Sequence, residues 1–478
     1  MNRSIILGVV LLAGQLTFSQ EAKKPNILFI SIDDLRAQLG AYGHEQMITP
    51  NLDGLASQGR LFNRHYVQVP TCGPSRACML TGKNLTVISD ISHPRLAKQL
   101  AGKPEPEYPE TFIHHLKRNG YYTVGMGKIS HQASGQYKGG LELPHSWDKF
   151  VFDPNNPWNH GLLHAYANGR TRGKGERLAY EFLDVPDENY PDGMLANQAV
   201  ETLEEVAKKD KPFFMAVGFF KPHLPFCAPK KYWDMYNEDD IKLSPNPDVP
   251  QGVSNAFLHD SSEFFGQYEH PEAGGAGKRL TDAYAKNVRR AYYASVTYTD
   301  AQVGKVLTKL KDLGLDKNTI IVVWGDHGWH LGEHTIWGKH STFERALKST
   351  FLVKTPDMKK PGIATNALVA SVDIYPTICE LAGVEKPKGL DGQSMVTILD
   401  NPKAKGKDMV HSYWRNIISM RDDRYRMAVF KKEDKQEVML FDHNKDPNET
   451  INVANENPNV VARFEKALKK VNKGFLPN

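Results

Sequence analysis

The chain has 478 residues, with 60 Lys and Arg against 55 Asp and Glu, for a formal charge of +5. An excess that weak over such a length excludes recognition of nucleic acid or of an anionic membrane surface by bulk charge. With 40% hydrophobic and 24% charged residues, the composition is that of a globular protein long enough for one large domain and a smaller one.

The first element is a targeting segment. Arg3 precedes the apolar run Ile5 to Leu12, and Thr17 and Ser19 are small residues at suitable cleavage positions, so residues 1–20 read as a secretory signal peptide. The run is shorter than the roughly 20 apolar residues of a membrane-spanning helix, and no later run qualifies. The mature chain is therefore expected to be soluble and exported, either periplasmic or secreted. Cys72, Cys78, Cys227 and Cys379 show no framework-like spacing, so no disulfide scaffold is expected, and the last three read as small buried hydrophobes.

Four continuous apolar runs follow, each too dense for a half-exposed strand and each stopping at ionisable residues. "NILFISIDD" ends in Asp33 and Asp34, and "YYTVGMGKISH" in Lys128 and His131. Phe213 to Phe220 runs into Lys221 and His223, and Thr319 to Trp324 into Asp326 and His327. Between them "TPNLDGLASQG", "TFIHHLKRNG" and "AQVGKVLTKLKDLGL" are amphipathic and close on glycine, which reads as helix. Alternating strands and helices predict an α/β protein whose strand ends line one edge, where such sheets build their sites. Any one of these aspartates could be a helix cap, and any one histidine a hydrogen-bonded bystander. What sets them apart is that all four strand ends behave alike.

Two other motifs fail. "GGAGKR" has Glu272 where the first glycine of a phosphate loop belongs and Arg279 where Ser or Thr should follow the lysine, so it reads as a flexible loop. His327, His330 and His334 lack the helical spacing and glutamate base of a zinc hydrolase. Near the end, "RDDRYR" and "DHNKDPNE" punctuate short strands and "NVVARFEKALKKV" reads as a closing helix. A small antiparallel sheet over 404–478 is therefore expected beside a main domain of 24–403.

"TCGPSRACMLTG", Thr71 to Gly82, resembles the sulfatase signature, Cys-x-Pro-Ser-Arg followed by Leu-Thr-Gly, at every defining position. "SIDDLRAQLGAYG", "TPNLDGLA", "GMGKISH", "FFMAVGFFKPHLPF", "ASVTYTDAQVG" and "DHGWHLGEHTIWGKH" are similar, in the same order, to blocks of the iduronate 2-sulfatase branch and its bacterial relatives. The resemblance implies an alkaline phosphatase-like α/β fold, a large mixed sheet flanked by helices with a small antiparallel C-terminal subdomain. It implies a sulfuric ester hydrolase in which a maturation enzyme oxidises Cys72 to formylglycine. Asp33, Asp34, Asp326 and His327, with the modified Cys72, would then hold calcium, or magnesium in its place. Arg76, Lys128 and Lys339 would neutralise the sulfate, and Pro74 suits the first turn of a helix whose free N–H groups face the same anion. One hydroxyl of hydrated formylglycine would attack sulfur while His223 or Lys339 protonates the departing alcohol, and His131 would deprotonate the other hydroxyl to expel sulfate.

The resemblance also implies a sulfated oligosaccharide or polysaccharide as substrate, with a sugar 2-O-sulfate favoured. The plain signal segment and the absence of a disulfide framework point to a bacterial periplasmic enzyme that desulfates oligosaccharides of glycosaminoglycan or algal origin. Candidate substrate contacts are His334 and Trp337, which flank the "WGKH" lysine, and Arg172 in the divergent segment 131–180. His411, Trp414 and Arg415 are further candidates from the C-terminal part. The alternative within the fold is a phosphomonoester or phosphonate monoester hydrolase. The alternative outside it is a sulfated-glycan binder whose Cys72 is never converted.

Overall fold

The structure, a computed structural model, describes residues 24–100 and 110–476. The expected signal segment, residues 1–20, lies outside the described residues. Seven strands form the main sheet: β1 (Asn26–Ile32), β2 (Arg60–Leu61), β3 (Tyr122–Gly127), β4 (Lys149–Val151), β5 (Phe213–Phe219), β6 (Thr319–Gly325) and β7 (Phe351–Lys354). Their spatial order is β2-β7-β6-β1-β5-β3-β4. The central strands are parallel, with Ile30 of β1 opposite Val323 of β6 on one side and Val217 of β5 on the other. β3 and β4 extend this parallel run, whereas β7 and β2 pair antiparallel, so the sheet is mixed.

The four apolar runs of the sequence are the four central strands because each is covered on both faces. In β1 the alternation is direct. Leu28, Ile30 and Ile32 join one hydrophobic cluster, while Ile27 and Phe29 join another across the sheet. The first cluster takes apolar residues from α1 (Pro50–Ala56), α4 (Pro191–Val206) and α6 (Asp282–Asp312), and the second from α2 (Cys72–Thr81) and α3 (Phe112–Arg118). The short α5 (Ser262–Gln267) lies between α4 and α6 in sequence. Among the described residues, no helix is long and apolar enough to cross a membrane. All four cysteines are buried and unpaired.

α6 starts at Asp282, well before the stretch at Ala301 that reads as helix in the sequence. The residues from Ala291 to Asp300 are buried all round, so they carry no polar stripe to betray the period. The C-terminal part is the antiparallel sheet β8 (Val410–Trp414), β9 (Ile417–Arg421), β10 (Tyr425–Lys432) and β11 (Lys435–Asp442), followed by α7 (Pro458–Val471). Asp422 closes the β9–β10 turn, its Oδ1 accepting from the backbone N–H of Arg424 and Tyr425 at 2.8 and 2.6 Å. Residues 401–409 connect this sheet to the preceding helix Val396–Asp400.

Candidate active site

Cys72 is the first residue of α2, with Thr71 in extended conformation before it and Pro74 in the first turn. The turn is tightly covered: a Cβ on Gly73 would come within 2.5 Å of both the Cα and carbonyl oxygen of His93, so the 91–94 loop can sit on α2 only above a glycine. One turn on, Ser75 Oγ donates to the Asp326 carbonyl at 2.5 Å. Arg76 points inward from the same helix. Its Nε donates to Asp326 Oδ2 at 2.9 Å, its Nη2 to Asp33 Oδ1 at 3.2 Å, and its Nη1 to Ser31 Oγ and to the carbonyls of Lys128 and Ile129. Arg76 is therefore spent on the carboxylates and strand ends, fixing them in place rather than lining the pocket.

The ends of β6, β1, β5 and β3 deliver the charged residues. Lys128 Nζ lies 2.6 Å from Asp33 Oδ2, and Lys339 Nζ lies 3.1 Å from Asp34 Oδ1, 3.2 Å from Asp34 Oδ2 and 3.5 Å from Cys72 Sγ. His327 Nε2 is 3.3 Å from both Asp34 Oδ1 and Cys72 Sγ, with its Nδ1 directed to the Gly328 carbonyl at 3.0 Å. Asp34 takes left-handed backbone (φ 59°), and its N–H donates to Asp326 Oδ1 at 2.9 Å, so the adjacent Asp33 and Asp34 both serve one centre. Burial, augmented by the neighbouring Asp33 and Asp326, pushes the Asp34 carboxyl up to about 7 against the opposing Lys339 charge. Burial likewise pushes the Cys72 thiol well above its usual range. An unmodified Cys72 is thus protonated and a poor nucleophile.

Around this centre lies a cavity of roughly 270 Å³ lined by Cys72, His93, His131, His164, Arg172, His223, Glu263, Lys339 and His340 among others. His131 stacks on His93 with ring centroids 4.3 Å apart, and its buried Nδ1 has no hydrogen-bond partner. Burial and the Lys128 charge pull its proton affinity far down, so the ring is neutral. His223 directs Nδ1 to the Leu224 carbonyl at 2.7 Å and Nε2 to Glu263 Oε1 at 3.2 Å. Glu263 Oε2 lies 3.2 Å from Lys339 Nζ. On the outer wall Arg172 donates Nη2 to His164 Nε2 at 2.9 Å, is hydrogen-bonded to Gln267, and stands over the Tyr268 ring.

Two expected substrate contacts, His334 and Trp337, do not reach the cavity. His334 is buried behind the pocket, its Nε2 held between Asn246 Nδ2 at 2.8 Å and the Asn448 carbonyl at 3.0 Å, and its ring is packed on Phe343. Trp337 is 2% exposed and stacks on Phe264, a packing role that follows from the paired strand segments His330–Leu331 and Trp337–Gly338. Arg172 reaches the cavity wall. Trp414 stands behind His340, with the rings stacked at 4.8 Å, and Arg415 stands over Trp414. Glu263, His93 and His164 escape the sequence reading. Glu263 sits on a six-residue helix too short to show a period, His93 lies in a turn, and His164 ends the single 3-10 turn Leu162–His164.

Ionisable groups gathered at the carboxyl ends of a mixed sheet flanked by helices define an alkaline phosphatase-like hydrolase of charged esters. Solved structures carry the same fold. One is a protein in complex with its substrate D-Glucosamine-2-N, 6-O-disulfate, at TM-score 0.69 and 22% identity, covering 94% of this chain and 98% of that one. Another is the phosphonate monoester hydrolase from Silicibacter pomeroyi, at TM-score 0.73 and 23% identity, covering 94% and 95%. The chain belongs to the sulfatase family: the family model described as Sulfatase matches residues 25–384, and that described as N-sulphoglucosamine sulphohydrolase, C-terminal, matches residues 332–474. It is similar to iduronate 2-sulfatase of Homo sapiens, 32% identical over 397 residues, which are 76% of this chain and 70% of the relative. The protein is a sulfuric ester hydrolase.

Proposed function

We propose that the protein is an exported sulfatase that releases sulfate from a terminal sugar of a sulfated glycan, with formylglycine at position 72 and calcium among Asp33, Asp34, Asp326 and His327. The observation that carries this reading is the charge balance of the site. Four carboxylates, Asp33, Asp34, Asp326 and Glu263, face three obligate cations, Arg76, Lys128 and Lys339, in contact with one another. A pocket so balanced does not attract an anion unless a further cation is bound. Buried carboxylate oxygens suit a hard divalent ion, and the Asp34 carboxyl, raised chiefly by burial and further by Asp33 and Asp326, supports a cation at this centre. Held by Asp33, Asp34, Asp326 and His327, calcium would supply the charge that lets a sulfate monoester enter. Magnesium, which prefers to keep its waters, suits an all-protein cage less well.

Formylglycine supplies, when hydrated, the oxygen nucleophile that the protonated Cys72 thiol is not. The chain's own residues then divide the work. Lys339, 3.5 Å from Cys72 Sγ, binds sulfate oxygens beside the reacting centre, and the N-terminal N–H groups of α2 face the same point. Arg76 and Lys128 hold the carboxylates so that nothing need reorganise as charge moves. His131 accepts a proton at Nδ1, and His223 gives one from Nε2 to the departing alcohol oxygen. Arg172 and His164 meet the part of the sugar furthest from the sulfate. At roughly 270 Å³ the cavity holds one sulfated sugar residue, which supports action at chain ends. Similarity to iduronate 2-sulfatase supports a 2-O-sulfate next to other anionic groups, and the signal-like segment supports a periplasmic or secreted location in a bacterium.

The test is sulfate release across defined sulfated mono- and oligosaccharides, using protein whose formylglycine content is verified by mass, with matched phosphate esters as controls. Release from a terminal 2-O-sulfate is expected. Turnover of phosphates alone would transfer the protein to the phosphonate or phosphate monoester hydrolases of the fold.

A further inference from the structure

A second cavity, of roughly 300 Å³, shares no lining residue with the active-site cavity. Its charged lining is Arg36, Lys242, Arg289 and Arg345 against Glu45 and Glu333. Lys242 and Glu45 are exposed to solvent, where they are screened and offset one another. Deeper in, Glu333 is 1% exposed and accepts from Arg36 Nη2 at 2.8 Å and Nη1 at 3.4 Å, so its one negative charge is already matched. Neither Arg289 nor Arg345 has a carboxylate within hydrogen-bond distance among the described residues. Arg289, from α6, donates to the carbonyls of Lys242 and Leu331 at 2.8 Å and to Tyr293 Oη at 2.9 Å, all neutral acceptors. Arg345, in the single helical turn Glu344–Leu347, donates to Asn448 Oδ1 at 3.5 Å. The two guanidinium groups converge: Arg289 Nη1 is 4.0 Å and Arg345 Nε 3.8 Å from the same oxygen, Glu333 Oε1. Burial first, and then the charges of Arg36, Arg345, Lys348 and Arg289, pull the nearby His44 ring down to about 4, so it brings an N–H to the cavity wall but no charge.

From this arrangement we propose that the cavity is a second binding site, for a doubly charged tetrahedral oxyanion, sulfate or phosphate, held between Arg289 and Arg345. Two arginines without carboxylate partners supply the two charges such an ion needs, and the Arg36–Glu333 pair beneath them is neutral. Guanidinium forks meet oxyanion oxygens in pairs, and the walls of a cavity concentrate the field of its lining charges. A single spherical chloride uses neither the second charge nor the paired geometry. The oxyanion comes either free from solution or on a sugar residue remote from the ester being cleaved. The proposal goes beyond the sulfatase reading and does not depend on the chemistry at position 72.

The experiment is equilibrium dialysis of the formylglycine-bearing enzyme and of Arg345→Gln against radiolabelled sulfate, with ionic strength held constant by sodium chloride. Arg345 is the residue to change because Arg289 also holds two backbone carbonyls. Sulfate bound at the active site counts equally in both proteins, so the difference between them reports the second cavity. The wild type should bind a further equivalent that the variant binds at least about tenfold more weakly, the worth of one charge-assisted hydrogen bond. Turnover of 4-nitrophenyl sulfate in the absence of added sulfate should be the same in both. Phosphate should displace the further equivalent and chloride should not. A sulfated disaccharide that displaces it at lower concentration than free sulfate would assign the site to a glycan's remote sulfate, and one that displaces it only at higher concentration would assign it to the free ion; both results support an oxyanion site. Equal sulfate binding by the two proteins, or displacement by chloride as readily as by phosphate, would overturn the proposal. Wild-type crystals soaked in selenate give a check that needs no variant: an anomalous peak between Arg289 and Arg345 is expected, and a cavity without one would overturn the site.

Discussion

At the scale of single residues, the site is a set of buried charges whose neutrality is local and conditional. Arg76 is wholly buried and divides its donors between Asp33 and Asp326. Removing one member of a buried ion pair leaves its partners unpaired, so Arg76→Ala is expected to cost about 3–5 kcal/mol in urea unfolding and, on the calcium site proposed above, to weaken binding of that ion in titration. A loss under about 1 kcal/mol would mean that the carboxylates hold themselves. Metal removal has a signed pH dependence. The Asp34 carboxyl is raised to about 7 in the metal-free folded chain, so its contribution to stability is full below the unfolded carboxylate value and is lost as pH rises through about 7. The drop in thermal midpoint on chelation should therefore be larger at about pH 8 than at about pH 5, and a pH-independent drop would remove Asp34 from the metal set. Much of this centre is legible in the sequence, because Asp33, Asp34, Lys128, His131, His223, Asp326 and His327 each follow a strand. Glu263 and His93 are not, since a six-residue helix and a turn bring them in through tertiary packing that no local pattern encodes. His334 and Trp337 read as site residues by adjacency to Lys339, but the left-handed turn at His334 and Thr335 carries their side chains into the core.

At the scale of elements, the sheet edge is held in register by contacts made behind it. Asp300 of α6 accepts from the N–H of Asn51 and Leu52 at 3.1 and 2.7 Å and from Asn51 Nδ2 at 2.8 Å, so a carboxylate from one helix caps the start of another, α1. Asp300→Ala should therefore cost about 1–2 kcal/mol of stability while kcat on an aryl sulfate stays unchanged, since nothing in the site touches it. A parallel loss of turnover would show that α1 carries strain to the strand ends. The central strands are readable because continuous apolar runs have few other uses in a chain with polar helices. Their order is not readable: β1 lies between β5 and β6, which come much later in sequence, and that arrangement is decided by crossover helices covering both faces.

At the scale of the whole molecule, the C-terminal sheet is seamed to the rest by charge and by apolar packing. Arg426, 1% exposed, pairs with Glu344 and with Glu449, and Glu344 accepts from Tyr66 Oη at 2.9 Å. Tyr413 N–H donates to the Gln68 carbonyl at 2.7 Å, and one hydrophobic cluster runs from Tyr66 and Leu347 to Ile418 and Phe464. Residues 24–403 and 404–478 should consequently melt as one calorimetric transition, and an earlier separate transition for the smaller part would contradict that seam. The same closure bears on how the molecule is made. Cys72 is 2% exposed, and Gly73 to Arg76 are sealed beneath the strand ends in the first turns of a helix. On the reading proposed for Cys72, an oxidising enzyme cannot grip that segment once the sheet has closed over it. Conversion then has a deadline, and the fraction of competent molecules is settled by a race between maturation and folding, run once per chain. Variants that fold more slowly should emerge more completely converted, and a finished but unconverted molecule is beyond repair.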